Sequence, residues 1–155
     1  MLQTFLLAMT PLGELRLAIP VAILTDGLPW YQAFLASIVG NMVPILFLVP
    51  ALERISLFLL SFPNPLGRLL EWRTQRLRLS QGRRFQRYGP LALAIFVGIP
   101  LPLTGAWTGV LVAWAFHMRP RVSIPYIALG VLIAGGIVTG LTMSGLQLSL
   151  FLAGR

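Results

Sequence analysis

Apolar residues along this chain fall into long uncharged runs, with polar positions gathered between them rather than interleaved. The runs cover 1–13, 17–25, 27–52, 90–116 and 122–154. A bilayer-spanning helix needs about 20 apolar residues. The runs 27–52 and 122–154 meet that length, and they predict spanning helices over 30–52 and 122–145. Two other regions are apolar but broken. In the first, Pro11 and Gly13 interrupt the run just before Glu14 and Arg16, leaving limbs of 2–9 and 14–24. In the second, Gly98, Pro100, Pro102 and Gly105 separate limbs of 91–97 and 105–116. Proline and glycine end helices at such points, and none of the four limbs could cross a bilayer.

A short limb, a break and a second short limb describe a re-entrant helical hairpin, tolerated at membrane depth only when buried in protein or lining a wet cavity. A full span follows each broken region. The expected fold is therefore an all-α integral membrane protein of two inverted repeats, each a re-entrant hairpin followed by a transmembrane helix. Hairpin 1–25 and span 30–52 form the first repeat, and hairpin 90–117 and span 122–145 the second. The basic segment 53–89 joins them, and a tail, 146–155, either continues the last helix or lies along the membrane surface. Each repeat crosses once, so the second must be inverted. Broken helices in matching positions of inverted halves point to a secondary transporter.

Composition agrees. Hydrophobic residues make up 57% of the 155 and charged residues 10%; soluble domains run near 45–50% and about 25%. That excludes an ordinary soluble domain, a disordered chain and a disulfide scaffold. With no cysteine and one histidine, thiol chemistry and a transition-metal centre are not expected. All 12 basic residues are arginine, and eight lie in 53–89 against two glutamates. This clustering reads as membrane orientation rather than nucleic-acid binding. With 53–89 cytoplasmic, the turn carrying Arg119 and Arg121 is also cytoplasmic. The turn carrying Asp26 and the N-terminus then lie outside. A cleavable signal peptide is not expected, because Glu14 and Arg16 fall where its apolar region should run. Residues 66–81 suit an amphipathic helix on the anionic leaflet, serving orientation.

Glu14 and Arg16 are the first candidates for chemistry. A charge at the bilayer centre costs at least about 2.5–3.5 kcal/mol, so such residues pair, face a cavity or do work. Positions two apart do not share a helix face, so the expectation is that they do not pair with each other. Glu14 would carry a proton and Arg16 would hold a phosphate or carboxylate. The bland reading has Glu14 capping the second limb and Arg16 meeting a carbonyl. Pro20 closes this motif. In the second break, Pro100 and Pro102 fix an extended stretch and Thr104 is the expected N-cap. The amides of Gly105, Ala106 and Trp107 would then face the site from an electropositive helix start. Trp107 either stacks on substrate or fills the bundle. Asn41 is expected to make an interhelical hydrogen bond, and Asp26 and His117 to be turn residues. Gly105/Gly109 and Gly136/Gly140 suit close helix packing, within a protomer or across a homodimer.

The segments Gly13-Glu14-Leu15-Arg16-Leu17-Ala18-Ile19-Pro20 and Pro100-Leu101-Pro102-Leu103-Thr104-Gly105-Ala106-Trp107-Thr108-Gly109 resemble the two signature segments of the prokaryotic small multidrug export protein family, in order and across essentially the whole chain. That family is itself similar to the DedA and VTT membrane proteins, which share paired re-entrant hairpins. The resemblance implies a transport role in the inner membrane. The second hairpin here lacks the charged residues usual in DedA hairpins. The expected function is export of a small amphipathic or anionic substrate, proton-linked, with both hairpin tips forming the site. A DedA-like flippase or scramblase of lipid or polyprenyl phosphate is the alternative, and a non-transporting membrane assembly factor a third. No nucleophile–base set is present, so an enzyme is not expected, and no cofactor is implied. Membrane lipids, the substrate and protons are the expected partners.

Overall fold

The computed structural model describes residues 1–11, 13–60, 83–100, 105–116 and 118–153. Among these it contains six α-helices and no strand: α1 (Leu2–Met9), α2 (Glu14–Leu24), α3 (Trp30–Leu60), α4 (Arg83–Gly98), α5 (Ala106–Ala115) and α6 (Pro120–Ala153). Within α3 and α6, Trp30–Ile55 and Pro120–Leu150 are long and apolar enough to cross a membrane. At 1.5 Å per residue, α1, α2 and α5 reach roughly 12–17 Å, about half of a 30 Å hydrocarbon core.

The breaks have local causes. Thr10 precedes Pro11, which forces it out of the helical region, and it caps α1 in extended conformation. Its hydroxyl donates to the Leu7 carbonyl at 2.8 Å and accepts the Gly13 amide at 2.9 Å, so the turn is tied from both ends. Gly13 is required there, because a Cβ would collide with that carbonyl and that hydroxyl. After α2, Gly27 takes the left-handed φ of +62°. At the second tip, Gly105 occupies the N-cap position of α5 in extended conformation; Thr104, expected in that role, lies outside the described residues, as does Pro102.

Three helices run beyond their expected ends. Helix α3 continues through Glu53 and Arg54 to Leu60, and α4 begins at Arg83, so helix enters both sides of the expected 53–89 connection. Helix α6 starts at Pro120, where proline suits the first helical turn, and absorbs most of the 146–155 tail. A charge ends a membrane run without ending a helix, since the backbone bonds of a helix are satisfied in water and lipid alike. The expected amphipathic helix 66–81 lies outside the described residues.

The six helices pack with an internal correspondence. Exchange α1, α2 and α3 for α4, α5 and α6, and every principal contact maps onto another. Helix α1 on α3 answers to α4 on α6, and α2 on α6 answers to α5 on α3; α3 against α6 maps onto itself. The burial register repeats too. Positions 33, 37, 40 and 41 of α3 are buried, and so are 123, 127, 130 and 131 of α6, a constant offset of 90. In the second limbs, buried 15, 18, 19 and 22 answer to 106, 109, 110 and 113, offset by 91.

Close approach in each half falls at a glycine of the long helix, Gly40 in the first and Gly130 in the second. A Cβ on Gly40 would meet the Phe5 carbonyl at 2.5 Å and the Ala8 Cβ at 3.1 Å. A Cβ on Gly130 would meet the Val97 Cβ at 2.6 Å and the Ala94 carbonyl at 2.7 Å. Within lipid, where apolar surface gains little by leaving the solvent, such backbone-close packing is what holds helices together. Gly109 likewise packs inside the protomer, against Val97. Gly136 and Gly140 have open space beside them.

Candidate functional site: a charge pair between two helix breaks

The two breaks meet at Glu14. This residue is 7% exposed and adopts φ +39°, a left-handed conformation that glutamate rarely takes. The twist turns its side chain off the α2 surface and toward the start of α5. There Oε1 accepts the Trp107 backbone N–H at 3.5 Å, a long bond at the electropositive end of a helix from the other half. Its Oε2 lies 3.8 Å from Nη2 of Arg16. Gly105 lies directly beneath the carboxylate, and a Cβ there would fall on the carboxylate oxygens.

This corrects the expectation that Glu14 and Arg16 do not pair. The rule that positions two apart face away from each other holds for regular helical dihedrals, and Glu14, though the first residue of α2, has a left-handed φ. The bland reading is also altered. Glu14 meets the start of α5, where the bonded Trp107 amide lies 93 positions along the chain, rather than capping α2. Of the three amides expected to face the site, the Trp107 amide is the one bonded to it.

The carboxylate and guanidinium open on a crevice of about 180 Å³, measured out to its mouth, lined also by Asn41, Val97, Ala106, Val131 and Ala134. Its interior has no room for a water molecule. Pro20 and Pro100 are half-buried and stand outside this lining, Pro20 within α2 and Pro100 just past the end of α4. Pro20 has no amide hydrogen to close the helical bond onto the residue four before it, which is Arg16. Trp107 contributes its amide, while its buried indole Nε1 has no hydrogen-bond partner among the described residues. Asp26 is exposed in the turn after α2, and His117 lies outside the described residues.

Asn41 overturns its expectation. It is fully buried in α3, and neither Nδ2 nor Oδ1 has a hydrogen-bond partner among the described residues. A buried, unpartnered amide costs about 1–3 kcal/mol, so its retention calls for a reason. The available signal was a lone amide in the middle of an apolar span.

The described residues are helical, two of the helices are long and apolar enough to cross a membrane, and a charge pair of buried Glu14 and half-buried Arg16 lies where two helix breaks converge; this is the make-up of a membrane protein. The chain belongs to the family described as "Putative small multi-drug export protein", whose model matches residues 14–137. The match begins at Glu14, just past the first break, and covers the second. No curated protein and no solved structure matches the chain.

Proposed function

We propose that the protein is a proton-coupled exporter of a small amphipathic or anionic substrate, acting in a prokaryotic inner membrane. The observation that carries this reading is the Glu14–Arg16 pair, held between the tips of two broken helical regions. Ionisable groups inside a membrane bundle mark substrate or proton routes. In this reading α1–α2 and α4–α5 are re-entrant hairpins, and the two halves are inverted repeats with the site at their junction. The exchange symmetry of the helix contacts and the repeated burial register support it. Arg16 holds the negative group, Glu14 carries the proton, and the start of α5 forms the opposing half-site. No enzymatic step is assigned. The partners are lipid, substrate and protons, with a homodimer open through the outward glycines of α6.

The dry crevice favours a second reading, a membrane assembly factor whose hairpin tips are simply packed. A DedA-like lipid translocase is the third. Reconstituted liposomes separate them. Internal pH is followed in wild type and Glu14→Gln while cationic drugs and short-chain polyprenyl phosphate are offered in turn. The expected result is substrate-dependent proton flux in wild type, falling at least tenfold in Glu14→Gln. Lipid translocation without proton flux in either variant would select the translocase. No flux from inserted, folded protein would select the assembly role.

Inversion has its own test, made simple by a chain without cysteine. In whole cells, a membrane-impermeant maleimide should label Asp26→Cys directly and Arg119→Cys only after permeabilisation. Labelling of both from one side would end the inverted-repeat reading and its cytoplasmic 53–89 segment.

A further inference from the structure

Glu14 occupies a cradle that suits a different occupant. Its carboxylate stands against one guanidinium and one helix-start amide, at 3.8 Å and 3.5 Å. Both contacts are longer than a charge-assisted hydrogen bond, which closes to about 2.7–2.9 Å. The carboxylate is therefore a loose internal ligand of an anion site. In the same crevice Asn41 offers one donor and one acceptor, both without partners among the described residues. Both atoms of that amide are therefore available to a group that moves into the crevice.

Resting on the export reading above, we propose that a substrate oxyanion displaces the Glu14 carboxylate from Arg16 and the Trp107 amide, and that the displaced Glu14 takes up one proton and pairs with Asn41. The chemistry closes on both sides. An oxyanion beside an ionised Glu14 would put two negative charges on one cation in a desolvated crevice. One proton bound per anion removes that cost. The neutral acid then pairs with both ends of the Asn41 amide: its O–H donates to Oδ1, and its carbonyl oxygen accepts from Nδ2. An ionised carboxylate could fill only half of that pair. Elements α3, α4, α5 and α6 bring Asn41, Val97, Ala106, Val131 and Ala134 to the crevice, and α2 brings Arg16, so no titratable side chain besides Glu14 and Arg16 lines it among the described residues. Asn41 is thus a positioning residue for the protonated state, and the ligand class is a monoanionic oxyanion, either a free ion or an amphiphile head group.

Calorimetry on the full chain in lipid nanodiscs tests this. The probes are dimethyl phosphate, decyl methyl phosphate and decyltrimethylammonium, none of which titrates near neutrality. Each is run in two buffers of different ionisation enthalpy, so that proton uptake is counted. Wild type should bind a phosphodiester with uptake of about one proton. Binding of both phosphodiesters alike assigns a free oxyanion, and binding of the decyl ester alone assigns an amphiphile head group. Glu14→Gln should bind with no proton uptake. Asn41→Leu should bind at least tenfold more weakly, yet melt at a higher temperature, because it replaces an unpartnered buried amide with an apolar side chain of similar size. A lower melting temperature for Asn41→Leu, unchanged affinity, or anion binding without proton uptake would overturn the proposal while leaving export intact. Binding of decyltrimethylammonium alone would also overturn it and keep the export reading. Failure of all three probes to bind folded protein would remove both.

Discussion

Gly105→Ala is expected to abolish transport and to lower the stability of the protein by about 1–3 kcal/mol, the usual range for an extra methyl group forced into a packed site. The cause is steric. Gly105 has φ −168° and ψ −171°, an extended backbone that alanine adopts freely. What alanine cannot do is share space with Glu14, whose carboxylate oxygens lie where the new Cβ would go. The side chain must leave the start of α5, taking its bond to the Trp107 amide with it. A double variant separates folding from function. Glu14→Ala with Gly105→Ala removes the clash, so thermal unfolding in detergent should return toward the value for Glu14→Ala alone. Proton-linked flux should stay absent. If Gly105→Ala retained wild-type flux, contact between the two breaks would be irrelevant to transport.

Gly130→Val is expected to have the larger effect on stability. Its side chain would meet the Ala94 carbonyl and the Val97 Cβ, and both belong to α4. A carbonyl oxygen fixed in a helix cannot turn aside as a side chain can. Helices α4 and α6 would have to separate along the most extensive contact of the second half. A loss of 3 kcal/mol or more is expected by analogy with severe core substitutions. Gly40→Val should act alike through the Phe5 carbonyl. Gly136→Ala and Gly140→Ala, with open space at the Cβ position, should unfold in dodecyl maltoside within about 1 kcal/mol of wild type. Equal losses at all four glycines would mean that these contacts do not hold the bundle together.

The ends of α1 and α2 were legible because proline and glycine act locally, through backbone geometry that does not depend on the rest of the fold. The far ends of α3 and α4 were not, because charge reports where a chain leaves the bilayer and a helix can continue beyond it. Within the site, Glu14, Arg16, Gly105 and Trp107 could be singled out from the cost of burying charge and the position of the second break. Their arrangement could not. The pairing of Glu14 with Arg16 depends on one left-handed residue, and glutamate gives no sign of that conformation in sequence. Asn41 was misjudged for a related reason: residue type tells that an amide needs partners, while only the packed structure tells whether it has them. The correspondence between halves was visible as a succession of elements but not as residues. What recurs at offsets of 89 to 91 is burial and close approach, as in Phe5 and Ala8 against Gly40 and Ala94 and Val97 against Gly130. Residues of quite different type satisfy both.

The crevice around Glu14 also bears on how the chain is made. Its walls include Val131 and Ala134, contributed by the last helix. A ribosome adding roughly 5–20 residues per second needs on the order of 6–24 s to travel from Glu14 to Ala134. Throughout that interval the crevice that shelters the charged start of α2 is incomplete. If α1–α2 is the re-entrant hairpin proposed above, it is expected to wait at the interface or against the insertion machinery until α6 arrives.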